Sequence, residues 1–289
     1  MTPVRPRLSA IVCTAGRPQL LGESLACLAA CLREDDELVV AEAGGDFASQ
    51  VLDRLRPSSA ADLRHLRVEP PGKCRQLNAA IRASAGDVLL LTDDDVRVPP
   101  GWADAMAAPF AEREVGLACG KVRGLSRVPG AAEDPGPPPG PAPFEPWRFA
   151  HGASMAVRRK AAEEAGGFDE RLGPGTPACG EDHDFVLRVR ERGWRVVIPP
   201  GEPAEHVEWR DASANRRNAL AYERGGGAVV GAAIRRSARQ GLPILRARLA
   251  YQRAVFGWNR GFGTPALAAF GSGFAYGLTL DRRDWIRTS

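Results

Sequence analysis

Over the first third of the chain, short apolar runs alternate with longer segments of helical periodicity. Leu8 to Cys13, Glu37 to Ala41, Leu63 to Val68 and Val88 to Thr92 each read as a strand bounded by polar residues or turn formers. Pro18 to Leu32, a stretch from about Phe47 to Leu55, and Lys73 to Ser84 read as helices. The first opens with proline, where the missing N–H costs nothing. Strand and helix in alternation predict a largely parallel sheet covered by helices. Further on, the pattern predicts a helix from Pro99-Pro100-Gly101 through about Phe110 and a strand over Gly116 to Val122. A strand over Ala153 to Arg158, a helix over Arg159 to Ala165 and a helix over Glu181 to Arg192 follow. Residues 129 to 146 are dominated by Pro, Gly and Ala and cannot bury enough apolar surface to order themselves, which predicts a flexible loop. From about Asp211 the chain turns to Arg-rich helices with apolar faces. The division expected is one α/β domain over residues 1–210 and a C-terminal helical extension over 211–289.

The apolar run Val88 to Thr92 ends on three carboxylates, Asp93, Asp94 and Asp95. Negative charge concentrated where a buried strand surfaces needs a cation or a close set of donors. An acidic run is also compatible with a solvated turn. An EF-hand is excluded, because the Gly and the closing Glu are missing at their offsets. Position favours a site: open α/β sheets bind ligands at the carboxyl ends of their strands. Two carboxylates with substrate phosphates commonly hold Mg²⁺. A second cluster, Gly180-Glu181-Asp182-His183-Asp184, falls at a helix start, where the dipole alone would favour acids. A metal-phosphate site with a separate carboxylate is also what displacement at a phosphate-activated carbon requires.

Composition narrows the classes. The 289 residues are 44% hydrophobic and 26% charged, with a net charge of +4 and a pI near 8.9, ordinary globular values. Lys occurs only at 73, 121 and 160, and the remaining basic residues are Arg, which favours bidentate contact with phosphates and carboxylates. Mild basicity suits a nucleotide phosphate or an anionic membrane surface, and no nucleic-acid partner is expected. The six cysteines form no C-x-x-C pair, which argues against zinc or a disulfide framework. A reduced, cytosolic setting is expected, consistent with an N-terminus that has no signal-peptide pattern. No apolar stretch approaches the ~20 residues needed to span a bilayer. Neither G-x-G-x-x-G nor G-x-x-x-x-G-K-[ST] occurs, so neither a dinucleotide fold nor a P-loop is supported.

Taken in order, Val12-Cys-Thr14-Ala-Gly-Arg17-Pro18, Val39-Val40-Ala-Glu42, Gly72-Lys73 with Leu77-Asn78, Thr92-Asp-Asp-Asp95, Gly166-Gly-Phe-Asp169-Glu and Gly180-Glu-Asp182-x-Asp184 resemble the family 2 inverting glycosyltransferases of the GT-A fold. The likeness runs from about residue 8 to residue 210. It implies a GT-A-like, mainly parallel sheet sandwiched by helices and a hexosyltransferase-type enzyme. It further implies a nucleotide-diphosphate sugar donor, with UDP favoured and GDP or dTDP as alternatives, and Mg²⁺ or Mn²⁺ as cofactor. Residue by residue, the resemblance implies that Thr14, Arg17, Glu42, Lys73, Asp93 and Asp94 bind the donor. Asp95 would ligate the metal, with Asp93 and His206 as further ligands. Asp182 would be the catalytic base with Glu181 beside it, and Ser154, Met155 and Asp184 would lie on the acceptor side.

Glu42 departs from the Asp usual in the family, which leaves the base open. The Q-x-x-R-W element of processive members is absent, so single additions are expected, to a glycan, lipid-linked or small-molecule acceptor. Two rival readings are a sugar-phosphate nucleotidyltransferase, which lacks here its Gly- and basic-rich loop, and a non-catalytic nucleotide-sugar or membrane-surface binding module. The Arg-rich segment from Arg216 to Arg260 reads as a solvated face over a core, as a grip on the nucleotide diphosphate, or as a peripheral contact with the inner face of a membrane.

Overall fold

The structure is a computed structural model that describes residues 5–124, 146–207, 212–256, 263–284 and 286. Its elements follow the chain as β1 (Leu8–Thr14), α1 (Pro18–Ala29), β2 (Glu37–Glu42), α2 (Ala48–Leu55), β3 (Asp62–Arg67), α3 (Lys73–Ala83), β4 (Val88–Asp93), β5 (Val96–Arg97) and α4 (Trp102–Ala107). Then come β6 (Val115–Cys119), β7 (Val122–Arg123), β8 (Met155–Arg158), α5 (Arg159–Ala165), α6 (Glu181–Glu191), β9 (Arg195–Val197), β10 (Ala204–His206), α7 (Ala212–Arg236), α8 (Ala238–Phe256) and α9 (Gly263–Gly277). The expected loop at 129–146 lies, apart from Pro146, outside the described residues.

Seven strands form one sheet in the order β3-β2-β1-β4-β8-β6-β9, with β8 alone antiparallel to its neighbours. Alternation decides the layers, because successive side chains of a strand point to opposite faces. Leu8, Ala10 and Val12 of β1 pack with Leu21, Leu25 and Leu28 of α1 on one face. Ile11 and Cys13 pack with Leu77 and Ile81 of α3 and Phe185 of α6 on the other. The strands are apolar throughout because both faces are covered. From β1 the chain winds outward to β2 and β3, then returns to lay β4 on the opposite side of β1. The crevice where the order reverses is the usual ligand position in such sheets, and Thr14 and Asp93 end the two strands that border it.

Two expected elements differ. The strand expected over Gly116 to Val122 is two pieces, since Gly120 leaves the sheet to pack against Ser154 and β7 joins a second sheet of order β5-β10-β7. The helix expected to reach Phe110 ends as α4 at Ala107 and continues as a 3₁₀ turn over Ala108–Ala111. Pro109 in that turn lacks the N–H an α-helix needs.

The C-terminal helices pack on α6, where Leu187 joins Val229, Val230, Ala233 and Phe270 in one apolar cluster. Helices α7 and α9 touch backbone to backbone. A Cβ at Gly227 would lie 2.0 Å from the Phe270 carbonyl oxygen, and one at Gly273 would lie 1.8 Å from that of Arg224. Gly271, two residues before Gly273 and so on the other side of α9, has nothing within 4 Å. Among the described residues no helix is long and apolar enough to cross a membrane. Gly227→Ala should therefore lower the thermal midpoint by several degrees. Gly271→Ala should leave it unchanged or raise it by the ~0.5–1 kcal/mol gained when a helical Gly becomes Ala. Equal effects in thermal melts would contradict the close α7–α9 contact.

Candidate active site

At the carboxyl end of β1, the Thr14 hydroxyl donates to Asp94 Oδ2 at 2.7 Å. Arg17, in the turn before α1, forks across both later aspartates: Nε and Nη2 reach Asp94, and Nη1 lies 2.7 Å from Asp95 Oδ2. Asp94 is fully buried. Burial is the largest influence on it and carries its carboxyl up to about 6, against the Thr14 hydroxyl and the Arg17 charge.

The first aspartate faces a different cation. Lys73 opens α3, and its Nζ lies 2.7 Å from Asp93 Oδ1 and 3.8 Å from Glu181 Oε1. Burial works against the Lys73 charge, yet Asp93, Glu181 and Asp182 outweigh it and hold the ammonium well above its ordinary value. This one side chain ties the end of β4 to the start of α6. Helix α6 begins there because Gly180 turns the chain with φ +128°, in the region open to glycine, and a Cβ would meet the Val229 side chain at 2.9 Å.

Glu181 and Asp182 are driven apart in acidity. Burial first, and then the Asp182 charge, push the Glu181 carboxyl up, against Lys73. Burial pushes Asp182 up as well, but His183, Lys73, the His183 backbone N–H and His151 prevail and hold it below the ordinary carboxylate range. Asp182 Oδ2 accepts from Gly152 N at 3.2 Å, and its Oδ1 accepts from His183 N at 2.8 Å. Neighbouring carboxyls with opposed shifts make Glu181 the weaker acid of the pair and Asp182 the stronger.

His206 comes from the second sheet. Strand β10 pairs with β5 so that His206 lies opposite Val96, and Val207 N donates to Asp95 O at 2.8 Å. The ring Nε2 stands 3.5 Å from Asp95 Oδ1, while Nδ1 is buried with no hydrogen-bond partner among the described residues. Two donors each about 2.1 Å from one small divalent ion and near right angles lie roughly 3 Å apart, slightly less than this separation. No group of three His, Cys, Asp or Glu among the described residues is arranged to hold an ion by itself. Asp95 and His206 therefore offer at most two protein ligands, a number compatible with an ion that keeps waters and substrate oxygens, as Mg²⁺ often does.

Four expected residues are not brought into this cluster. Glu42, expected on the donor, is buried with its carboxylate accepting from Phe47 N, Ala48 N and the His65 ring, so it anchors the start of α2. Its added methylene lets it reach that helix end. Ser154 and Met155, expected on the acceptor side, are fully buried: Ser154 Oγ accepts from Trp102 Nε1, and Met155 sits in the sheet between β4 and β6. The residue of that segment that reaches the cluster is Gly152, whose Cβ position lies 3.6 Å from Lys73 Nζ. Asp184, also expected on the acceptor side, is buried between Arg188 Nε at 2.7 Å and Arg236 Nη1 at 2.9 Å. Two inward-turned polar side chains of α3, Gln76 and Asn78, support the cluster, and of the two only Asn78 belongs to the motifs quoted from the sequence. Gln76 Nε2 clamps the carbonyls of Thr14 and Ala41, and the Asn78 amide bonds both N and O of Phe168. Helical periodicity gave no sign of either, since each is a polar residue turned inward.

Comparison with known proteins now gives this arrangement a family. The model of glycosyl transferase family 2 matches residues 9–166, more than half of the chain. The chain belongs to that family. It is 28% identical over 239 residues to the O-antigen biosynthesis protein RfbC of Myxococcus xanthus; the match covers 74% of this chain and 18% of that protein. Among solved structures it resembles the mannosyltransferase PcManGT from Pyrobaculum calidifontis, in complex with GDP-Man and Mn²⁺, with TM-score 0.63, 21% identity and coverage of 96% and 88% of the two chains. It also resembles S. aureus TarS 1-349 in complex with UDP-GlcNAc, with TM-score 0.64, 16% identity and coverage of 92% and 80%. The fold is thus GT-A: a mostly parallel sheet between helices, with helices appended at the C-terminus.

The Asp184 pair yields a sign that can be checked. Burial raises its carboxyl, but Arg188 and Arg236 outweigh that and hold it below the ordinary value. An acid with a depressed folded value stabilises the fold above its unfolded pKa of about 3.9 and loses that contribution as pH falls through the folded value. Asp184→Asn should cost about 3–5 kcal/mol, the usual loss on breaking a buried pair. That cost should be constant from about pH 7 to about pH 5 and narrow only below about pH 4, measured by denaturant unfolding. A variant of normal stability with a raised acceptor KM would restore the acceptor-side reading.

Proposed function

We propose that this chain moves a hexosyl unit from a nucleotide-diphosphate donor to an acceptor hydroxyl with inversion, one addition at a time, with Mg²⁺ or Mn²⁺. The observation that carries the reading is Asp182: a half-buried carboxylate whose neighbours hold it below the ordinary carboxylate range, beside Glu181, which Lys73 links to Asp93 of the strand-end triplet. In a direct displacement, the acceptor oxygen bonds to the anomeric carbon as the bond to the diphosphate oxygen breaks. Asp182 takes the acceptor proton. Glu181, which keeps its own proton more readily, orients the acceptor beside it. Lys73 and Arg17 supply positive charge toward the donor phosphates, with Thr14, Asp93 and Asp94 on its ribose side.

Asp95 and His206 would hold the divalent ion, which when bound stabilises charge on the leaving diphosphate as a Lewis acid. Charge balance supports this. Among the described residues, five acidic side chains (Asp93, Asp94, Asp95, Glu181 and Asp182), of which burial pushes Asp94 and Glu181 toward protonation, face the cations of Arg17 and Lys73. A diphosphate entering such a site meets net repulsion unless a further cation joins it.

A UDP-sugar remains the favoured donor from the sequence, and GDP- and dTDP-sugars are alternatives. The solved relatives are described with GDP-Man and UDP-GlcNAc, which supports a nucleotide sugar without choosing the base. The acceptor we favour is a glycan or lipid-linked sugar, in keeping with the O-antigen relative. Helix α8 has no acidic residue, and it exposes Arg239, Arg246 and Arg253 beside Leu242 and Leu249, 46% and 44% exposed. Such a face suits peripheral contact with anionic lipid, on a protein working at the cytoplasmic side of a membrane.

Asp182→Asn should leave donor affinity within about twofold and reduce kcat by ~10²–10⁴, the usual worth of a positioned base. Retained turnover would remove Asp182 from the mechanism. His206→Ala should raise the Mn²⁺ concentration for half-maximal activity by about tenfold or more while sparing activity at saturating metal better than Asp182→Asn does. An unchanged metal dependence would assign the ion to other groups.

A further inference from the structure

Away from the Asp182 cluster, the C-terminal ends of α6 and α7 and the segment after α9 enclose a cleft of about 580 Å³. Ten residues of helix, about 15 Å at 1.5 Å per residue, separate Asp182 from Arg192 at its rim. Five arginines line it: Arg188, Arg192, Arg235, Arg236 and Arg282, against the carboxylates of Glu191 and Asp281. The volume is that of a small-molecule site.

The arginines divide into two sets. Arg236 is engaged with Asp184 and Glu191, and Arg188 with Asp184 and the carbonyls of Ala165 and Gly167. These satisfy the carbonyl-rich helix ends, where cations are favoured. Arg188 is 8% exposed, and its Nη2 is buried with no hydrogen-bond partner among the described residues. A buried guanidinium nitrogen left unpaired costs free energy that an acceptor would recover. Arg192, Arg235 and Arg282 are exposed and enter no ion pair with the described residues. Asp281, the nearest acid on the C-terminal segment, is bound to Arg171 and Arg283. Helix-end compensation therefore leaves three exposed guanidinium groups and one buried donor around the same space.

We propose that this cleft is a second ligand site that binds a phosphate-bearing anion, read by the paired N–H forks of Arg235, Arg282 and Arg192. Guanidinium groups match phosphate oxygens two at a time, which a solvated basic face does not require. The site is independent of the transfer reaction proposed above, since none of its arginines belongs to the Asp182 cluster. It also differs from the α8 face, where the arginines are spread along one helix. Two sources share the chemistry: a soluble phosphate ester and a phospholipid headgroup.

The test is a calorimetric titration of inorganic phosphate into the full chain in metal-free buffer, for wild type, Arg235→Gln/Arg282→Gln and Lys73→Met. Wild type and Lys73→Met should bind alike. The double variant should bind about tenfold or more weakly, a loss of about 1.4 kcal/mol or more. Because both exchanged side chains are exposed and have no ion pair among the described residues, its thermal midpoint should match wild type. Flotation with phosphatidylglycerol vesicles then separates the sources. Loss of both phosphate and vesicle binding in the double variant assigns a headgroup, whereas loss of phosphate binding alone assigns a soluble ester. Undetectable phosphate binding to wild type, or equal affinity in the double variant, overturns the proposal.

Discussion

Everything at the end of this sheet depends on unbalanced negative charge. Five acidic side chains crowd one crevice, where among the described residues Arg17 and Lys73 form the ion pairs with them, and several of the five are buried. Carboxylates out of water must be paired, protonated or bound to an ion. The structure uses the first two devices visibly. Arg17 clamps Asp94 and Asp95, Lys73 joins Asp93 to Glu181, and the carboxyls of Asp94 and Glu181 are pushed toward protonation. The deficit that remains is what a substrate-borne ion would fill.

The fold makes this crowding tolerable by fixing each charge on a different rigid element. Strands β1 and β4 end together, with Cys13 opposite Asp93 and Thr14 one residue further on, α3 delivers Lys73 and α6 delivers Asp182. The small second sheet brings His206 across to Asp95. Two inward polar residues hold these parts in place. Gln76 ties the ends of β1 and β2, and Asn78 ties α3 to the Phe168 segment ahead of α6. The same region buries Phe168 against Phe185 with ring centroids 4.1 Å apart, so α6 rests on the core.

The strands, the helices of the first half and the strand-end triplet could be read from the sequence because each rests on local pattern. An apolar run ending in acids needs no tertiary knowledge to suggest a buried strand opening on a charged crevice. The misplaced residues share a different cause. Glu42, Ser154, Met155 and Asp184 stand within a few positions of the cluster in sequence, but their side chains serve the nearest helix end, Trp102, the sheet or an arginine pair. Whether a carboxylate faces a crevice or a buried guanidinium depends on contacts tens of residues away: Arg236 lies 52 residues beyond Asp184. Gly152 was hidden for the opposite reason. It contributes a backbone N–H, and sequence gives no hint of which N–H faces a carboxylate.

The most direct test of the charge-deficit account is a crystal structure with a nucleoside diphosphate and Mn²⁺, with anomalous data locating the metal. The account predicts one Mn²⁺ between the Asp95 carboxylate, the His206 ring and the diphosphate oxygens, with Asp182 on the side where the sugar would lie. Diphosphate bound by Arg17 and Lys73 alone in saturating Mn²⁺, or the metal held elsewhere, would contradict it.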